Sequence, residues 1–278
     1  MIPYTRKTLP NGLTVVVNRD RASKLAAVNI LYRVGARNEN PARTGFAHLF
    51  EHLMFRGTRA VENFDLPVQM ASGDNNAFTN NDYTDFYITL PKDNLETALW
   101  LESDRMEGLD ITPAKLEAEK KVVIEEFRQR YLNQPYGDQT MLLRALAYKV
   151  HPYRWAAIGL ATDHIAGATL ADVESFYRAH YRPSNAILSI SADMEEERML
   201  ELAEKWFAPL ADHPSATAAI PQEPVQTQAR RQEVERDVPA STVTVAYHMC
   251  ARTKPDFYTA DLVSDLLSGG DSGRLYTH

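Results

Sequence analysis

Gly45-Phe-Ala-His-Leu-Phe-Glu-His-Leu-Met-Phe55 is the stretch on which the reading of this 278-residue chain turns. His48 and His52 stand four apart, so on a helix both imidazoles leave one face a single turn apart. That arrangement offers one Zn²⁺ two nitrogen ligands at about 2.0–2.1 Å each. Glu51 follows His48 by three and adjoins His52, so its carboxylate projects to nearly the same side. There it can take a proton from a water acidified by the metal. The competing reading is an amphipathic helix that buries Phe46, Leu49, Phe50 and Leu53 and leaves His48, Glu51 and His52 in water. The full order His-x-x-Glu-His, an inverted zinc motif, favours the metal over the solvated face.

A catalytic zinc takes three protein ligands and keeps a fourth position open, so a third donor is needed from elsewhere. A helical pattern from Pro113 to about Tyr131, with Thr112 as N-cap and Pro113 at its first position, offers Glu117, Glu119, Glu125 and Glu126. At about 100° per residue, Leu116, Val123, Ile124 and Phe127 form the inward stripe. Glu119 and Glu126 lie seven apart along one flank of it, Glu126 between Val122 and Val123, while Glu125 faces away with Lys121 and Arg128. A carboxylate among buried valines is costly unless paired or metal-bound. Glu126 is therefore the expected ligand, and Glu119 a group that orients it or a histidine. An i,i+4 pair with Lys121 accounts for Glu117.

Outward from these helices, Asn11-Gly12 reads as a turn before the strand Leu13–Val17, and Ala26–Val34 as a second strand, the two suggesting an antiparallel pair. A further strand is expected over Asp82–Leu90, and helices over Asn94–Gly108, Tyr136–Tyr148, Leu170–Tyr181 and Glu195–Phe207, with a strand at Ala186–Ser191. From about Pro209 to Gln228 the composition shifts to Pro, Ala, Thr and Gln and reads as a linker. Strands are then expected over Gln232–Val238 and Ser241–Met249 and a helix over Asp256–Leu267. This order resembles the chain's own beginning and suggests an incomplete second domain.

Composition is that of a globular protein, 44% hydrophobic and 24% charged, with a formal net charge of −7. A mildly acidic balance argues against non-specific nucleic-acid binding or attraction to anionic membranes. The lone Cys250 excludes an internal disulfide. No run approaches the roughly 20 apolar residues of a membrane span, and the N-terminus lacks a signal-peptide pattern. A cytoplasmic location is the expectation, or a periplasmic one if a leader has been removed.

Several segments in order resemble the pitrilysin, or insulinase, family of zinc peptidases, in the style of short bacterial members related to the processing-peptidase β subunit. They are Asn11–Val17, Val34–Glu39, the zinc motif with Met54–Thr58, Asn76–Thr79, Glu102–Met106, Glu119–Glu126, His151–Tyr153, Phe176–Tyr181 and the glycine-rich Gly269–Leu275. The resemblance implies an α+β fold, a two-layer α/β sandwich with a mostly antiparallel sheet. Residues 1–210 would form the zinc-binding catalytic domain, 211–230 a linker, and 231–278 the beginning of a second, similar domain. It implies Zn²⁺ held by His48, His52 and Glu126, Glu51 as general base, and Glu119 in support. Asn76, Ala77, Phe78 and Thr79 would form the edge strand that pairs with an extended peptide substrate. It further implies an endopeptidase working in a chamber between two halves, as a homodimer or with a second family subunit. The Arg and Tyr that a second half usually contributes have no assignable counterpart here. A non-catalytic scaffold or partner subunit is the alternative, one usually accompanied by damaged zinc motifs.

Overall fold

The structure, a computed structural model, describes residues 2–214 and 219–277. Two compact units are present, Met1–Asp237 and Val238–His278. Strands of the first unit are β1 (Thr5–Thr8), β2 (Thr14–Arg19), β3 (Leu25–Tyr32), β4 (Asp74–Thr79), β5 (Thr84–Pro91) and β6 (Ala186–Ala192). Its helices are α1 (Phe46–Leu53), α2 (Asp65–Met70), α3 (Leu95–Glu107), α4 (Pro113–Phe127), α5 (Gln139–Ala147), α6 (Thr162–Ala166), α7 (Leu170–His180) and α8 (Glu196–Phe207). The second unit holds α9 (Phe257–Ser268) and α10 (Arg274–Thr277).

Strand order in the sheet is β1-β2-β6-β3-β5-β4. All neighbours are antiparallel except β2 and β6, which are parallel. Alternation along β3 buries Ala26, Val28, Ile30 and Tyr32 on one face, and β6 does the same with Ala186, Leu188, Ile190 and Ala192. Against that face pack α1, α3 and α8, giving the expected two-layer α+β arrangement with a mostly antiparallel sheet. The expected pairing of the strands at Leu13–Val17 and Ala26–Val34 is corrected: β6 lies between them, Val17 opposite Ile190 and Val28 opposite the same residue on the other side. The Asn11-Gly12 turn instead joins β1 to β2, with Gly12 donating to the Leu9 carbonyl.

Helix α3 carries the Glu102–Met106 segment into the core. Arg105 donates to Glu102 through Nε at 2.7 Å, both side chains are buried, and the guanidinium stacks over Phe64 and Phe86. Packing therefore explains that segment.

Residues 219–237 lie along α5. Glu223 accepts the backbone N–H groups of Lys149, Val150 and His151. Arg230 donates to the carbonyls of Leu146 and Ala147 at the helix C-terminus, and Arg236 pairs with Asp138 at its N-terminus. Part of the proline-rich stretch, residues 215–218, lies outside the described residues.

The strands expected at Gln232–Val238 and Ser241–Met249 are not formed: no described residue beyond β6 belongs to a sheet. Their alternation is present in the sequence, yet Val243, Val245, Tyr247 and Met249 are exposed. A strand needs a neighbour for its ladder and a layer to bury its apolar face, and a lone hairpin supplies too little of either. The expected helix at Asp256–Leu267 is present as α9.

Candidate metal centre

Helix α1 begins at Gly45, whose φ of +93° is left-handed and favours glycine. A Cβ there would meet the Ile158 carbonyl at 2.8 Å. Six of the eight α1 residues are buried, including Phe46, Leu49, Phe50 and Leu53 on the stripe expected from the sequence. His48 is buried too, at 9% exposure, so the solvated-face reading of this helix does not describe it.

Helix α4 faces α1. Thr112 Oγ1 accepts the Lys115 N–H at 3.2 Å and Pro113 occupies the first turn, as the sequence predicts. Leu116, Val123 and Phe127 are buried, Ile124 partly so, and Glu125 faces outward. Two details differ. Val122 is 44% exposed, so only Val123 of the two valines is buried. Glu117 pairs with Lys120 rather than Lys121, because the Lys120 ammonium turns inward to reach the Ala168 carbonyl as well.

Between the two helices, His48 Nε2 lies 3.6 Å and His52 Nε2 3.4 Å from Glu126 Oε2. One donor atom from each of the three residues falls within 4.8 Å of the others. Both distances exceed a hydrogen bond. They match the separation of about 3.3 Å between two tetrahedral ligands each about 2.0–2.1 Å from a metal. Glu126 Oε1 is held by Arg130 at 2.9 Å, from the π-helical turn Arg128–Leu132 that continues α4, and this leaves Oε2 for the histidines. On the far side of His52, Nδ1 lies 3.5 Å from Glu119 Oε2, and Arg56 Nε lies 2.5 Å from Glu119 Oε1. Glu119 is almost wholly buried. The donor set, two neutral-capable imidazoles and a carboxylate with open space toward solvent, fits Zn²⁺.

Burial pulls the His48 imidazole down to about 4, so it is an unprotonated donor at neutral pH. At His52 burial acts in the same direction, but the Glu119 and Glu126 carboxylates prevail and carry it up to about 9. Burial raises the Glu51 carboxyl, against the opposing pull of the Thr79 hydroxyl and of His52. A carboxyl shifted toward neutral is suited to proton transfer.

Thr79 belongs to β4, which ends the sheet and packs on α1. Asn76 and Phe78 are exposed along that edge, while Ala77 and Thr79 are half-buried. Read from residue types alone, the paired asparagines at 75–76 and 80–81 suggest turns. The first pair is in the strand, and only Asn80 and Asn81 turn toward β5. Arg130 and Arg56 are participants that the sequence reading does not single out. The i,i+4 spacing of Arg130 from Glu126 is the signal that could have found the first.

A family model described as Insulinase (Peptidase family M16) matches residues 14–156, and one described as Peptidase M16 inactive domain matches 167–278. The chain is 35% identical over 274 residues to the zinc protease PqqE of Helicobacter pylori, covering 96% of this chain and 62% of that protein. It is 26% identical to a probable mitochondrial-processing peptidase subunit beta of Arabidopsis thaliana, covering 91% of this chain and 48% of the relative. The crystal structure of a protease from Helicobacter pylori superposes with a TM-score of 0.91 at 32% identity, covering all of this chain and 68% of that one. The chain therefore belongs to the insulinase family of peptidases, family M16.

Proposed function

We propose that this chain is the zinc-bearing part of an endopeptidase that hydrolyses peptides or unfolded segments. His48, His52 and Glu126 hold the metal in this reading. The observation that carries it is the convergence of His48 Nε2, His52 Nε2 and Glu126 Oε2 at ligand–ligand spacing. Bound zinc would supply Lewis acidity, acidifying water and polarising a carbonyl. Glu51 receives the proton at its carboxylate and returns it to the leaving amine. Glu119 orients the His52 ring through the attraction between its carboxylate and Nδ1–H at 3.5 Å, and Arg130 keeps one oxygen of Glu126 turned to the histidines. The free edge of β4, through Asn76 to Thr79, pairs with an extended substrate backbone and sets its register beside the site.

The whole enzyme belongs to the same proposal, since the chain spans about half to two thirds of the relatives above. It acts as a homodimer or with a second family subunit, in line with the name subunit beta borne by one relative. Residues 231–278 begin a second domain in this reading. A non-catalytic partner subunit is the second reading, favoured by the description of the family model over residues 167–278 as an inactive domain. It gives no reason for an intact donor set at 48, 52 and 126. The test is zinc content of the purified chain beside Glu126→Ala. About one zinc per chain in the wild type and little in the variant is the expected result. No zinc in the wild type after incubation with excess metal would remove the proposal.

A further inference from the structure

Helix α1 has no N-cap side chain of its own. Gly45 holds that position, its backbone is left-handed, and the Ile158 carbonyl leaves no room for a Cβ. Glu39 fills the role from outside the helix. Its Oε2 accepts the Gly45 N–H and its Oε1 the Ala47 N–H, each at 2.9 Å. These are N–H groups of the first turn, which no helix satisfies internally; burial pushes the Glu39 carboxyl up to about 8 against the pull of these N–H donors.

The turn that presents Glu39 is itself tied to the substrate-side hairpin. Ala36 N–H donates to the Asn80 carbonyl at 3.1 Å and Arg37 N–H to the Asn81 carbonyl at 2.9 Å, just past the end of β4. Gly35 permits this approach, since a Cβ there would stand 2.5 Å from Asn80 O. Trp155 closes the turn from the other side, donating from Nε1 to the Ala36 carbonyl at 2.9 Å. Glu39 is 6% exposed. A glutamine of the same shape would turn its amide N–H₂, which cannot accept, toward one of the two N–H donors.

We infer that Glu39 is a positioning residue that locks the helix bearing His48, Glu51 and His52 to the hairpin that ends at Asn80 and Asn81. Two consequences belong together: the rotation of α1 about its axis is fixed at its first turn, and the distance between the histidines and the edge strand is fixed with it. The inference rests on the zinc-binding reading above, and its test separates the two. Cobalt(II) serves as a spectroscopic probe for the metal site, and zinc affinity is measured by chelator competition, on the whole chain as wild type, Glu39→Gln and Glu39→Asp. The expected result is one cobalt per wild-type chain, with altered visible bands and zinc affinity about 10–100-fold weaker in folded Glu39→Gln, the range for loss of a group that orients a ligand. If the wild type binds no metal, the zinc reading fails first and takes this one with it. If the wild type binds and folded Glu39→Gln shows the same bands and affinity, the positioning role is overturned, even where its melting temperature falls. Should Glu39→Gln not fold, Glu39→Asp, which keeps the carboxyl group but is a methylene short of spanning both N–H groups, decides on the same readouts.

Discussion

The two helices that face each other across the candidate metal centre are built by opposite means. Helix α4 runs fifteen residues, starts on its own Thr112 cap with Pro113 behind it, and is laced by the Glu117–Lys120 and Glu126–Arg130 pairs. Helix α1 runs eight residues, starts at a glycine with no cap, and contributes six buried side chains. Isolated helices shorter than about 12–15 residues are marginal in water, so α1 is helical because the sheet, α4, α7 and the Glu39 carboxylate enclose it. A self-sufficient helix tolerates local damage and loses only what the damaged group did. A helix held by its surroundings transmits any change at its ends to the groups it carries. This division places His48, Glu51 and His52 on the enclosed helix and Glu119 and Glu126 on the self-sufficient one.

The largest expected effect tests the enclosed helix. Glu51→Gln should bind zinc as the wild type does yet cleave peptides about 10²–10⁴-fold more slowly, the usual worth of a general base. Peptide cleavage by the assembled enzyme, with metal content measured on the same sample, checks it. Activity near the wild-type level would break the assignment of chemistry to α1.

Next comes the contact between the helices. With His52 carried up to about 9 by its carboxylates, metal-free protein keeps that imidazole protonated at neutral pH, and zinc must expel the proton. Affinity should therefore rise about tenfold per pH unit between pH 7 and 9 and level off above. Glu119→Gln should weaken zinc by about 10–100-fold and flatten that slope, because the ring loses a carboxylate that raised it. Chelator competition across this pH range reads both, and an unaltered slope in the variant would detach Glu119 from His52.

The smallest effect belongs to the far end of α4. Thr112→Ala should cost about 1 kcal/mol, seen as a fall in melting temperature of about 2–4 °C for a domain of this size, with zinc stoichiometry unchanged. Loss of metal from this variant would show that α4 is less self-sufficient than its caps and pairs suggest.

How much of this was legible in the residues varies with how local its cause is. The 3.6-residue stripes of α1 and α4 and the Thr112-Pro113 start are short-range patterns, and they appear where the sequence puts them. Glu126 stood out by its place on the α4 flank, although one of the two valines used to argue for it is exposed. The insertion of β6 between β2 and β3 was not legible, because its strand lies more than 150 residues away and no local pattern encodes a neighbour. Strand β4 was hidden for a different reason. Its asparagines have turn propensity, and pairing with β5 overrides it; only family resemblance pointed to a strand. Glu39 was invisible as well, since the glycine it serves lies six residues away in a loop of no regular period. At 241–249 the reverse holds: the period is clear, but the layer it would need is not there.

The place of β6 in the sheet also sets the order of events at the ribosome. A sheet missing a central strand cannot bring β2 beside β3, and the hydrophobic face on which α1 rests is then split. The three residues of the candidate metal centre all lie before residue 127, yet the surface that seats them is complete only when residues 186–192 have emerged. Pairing over that separation is slow compared with helix formation. The nascent chain therefore carries His48 and His52 without a complete surface to seat them until β6 has emerged.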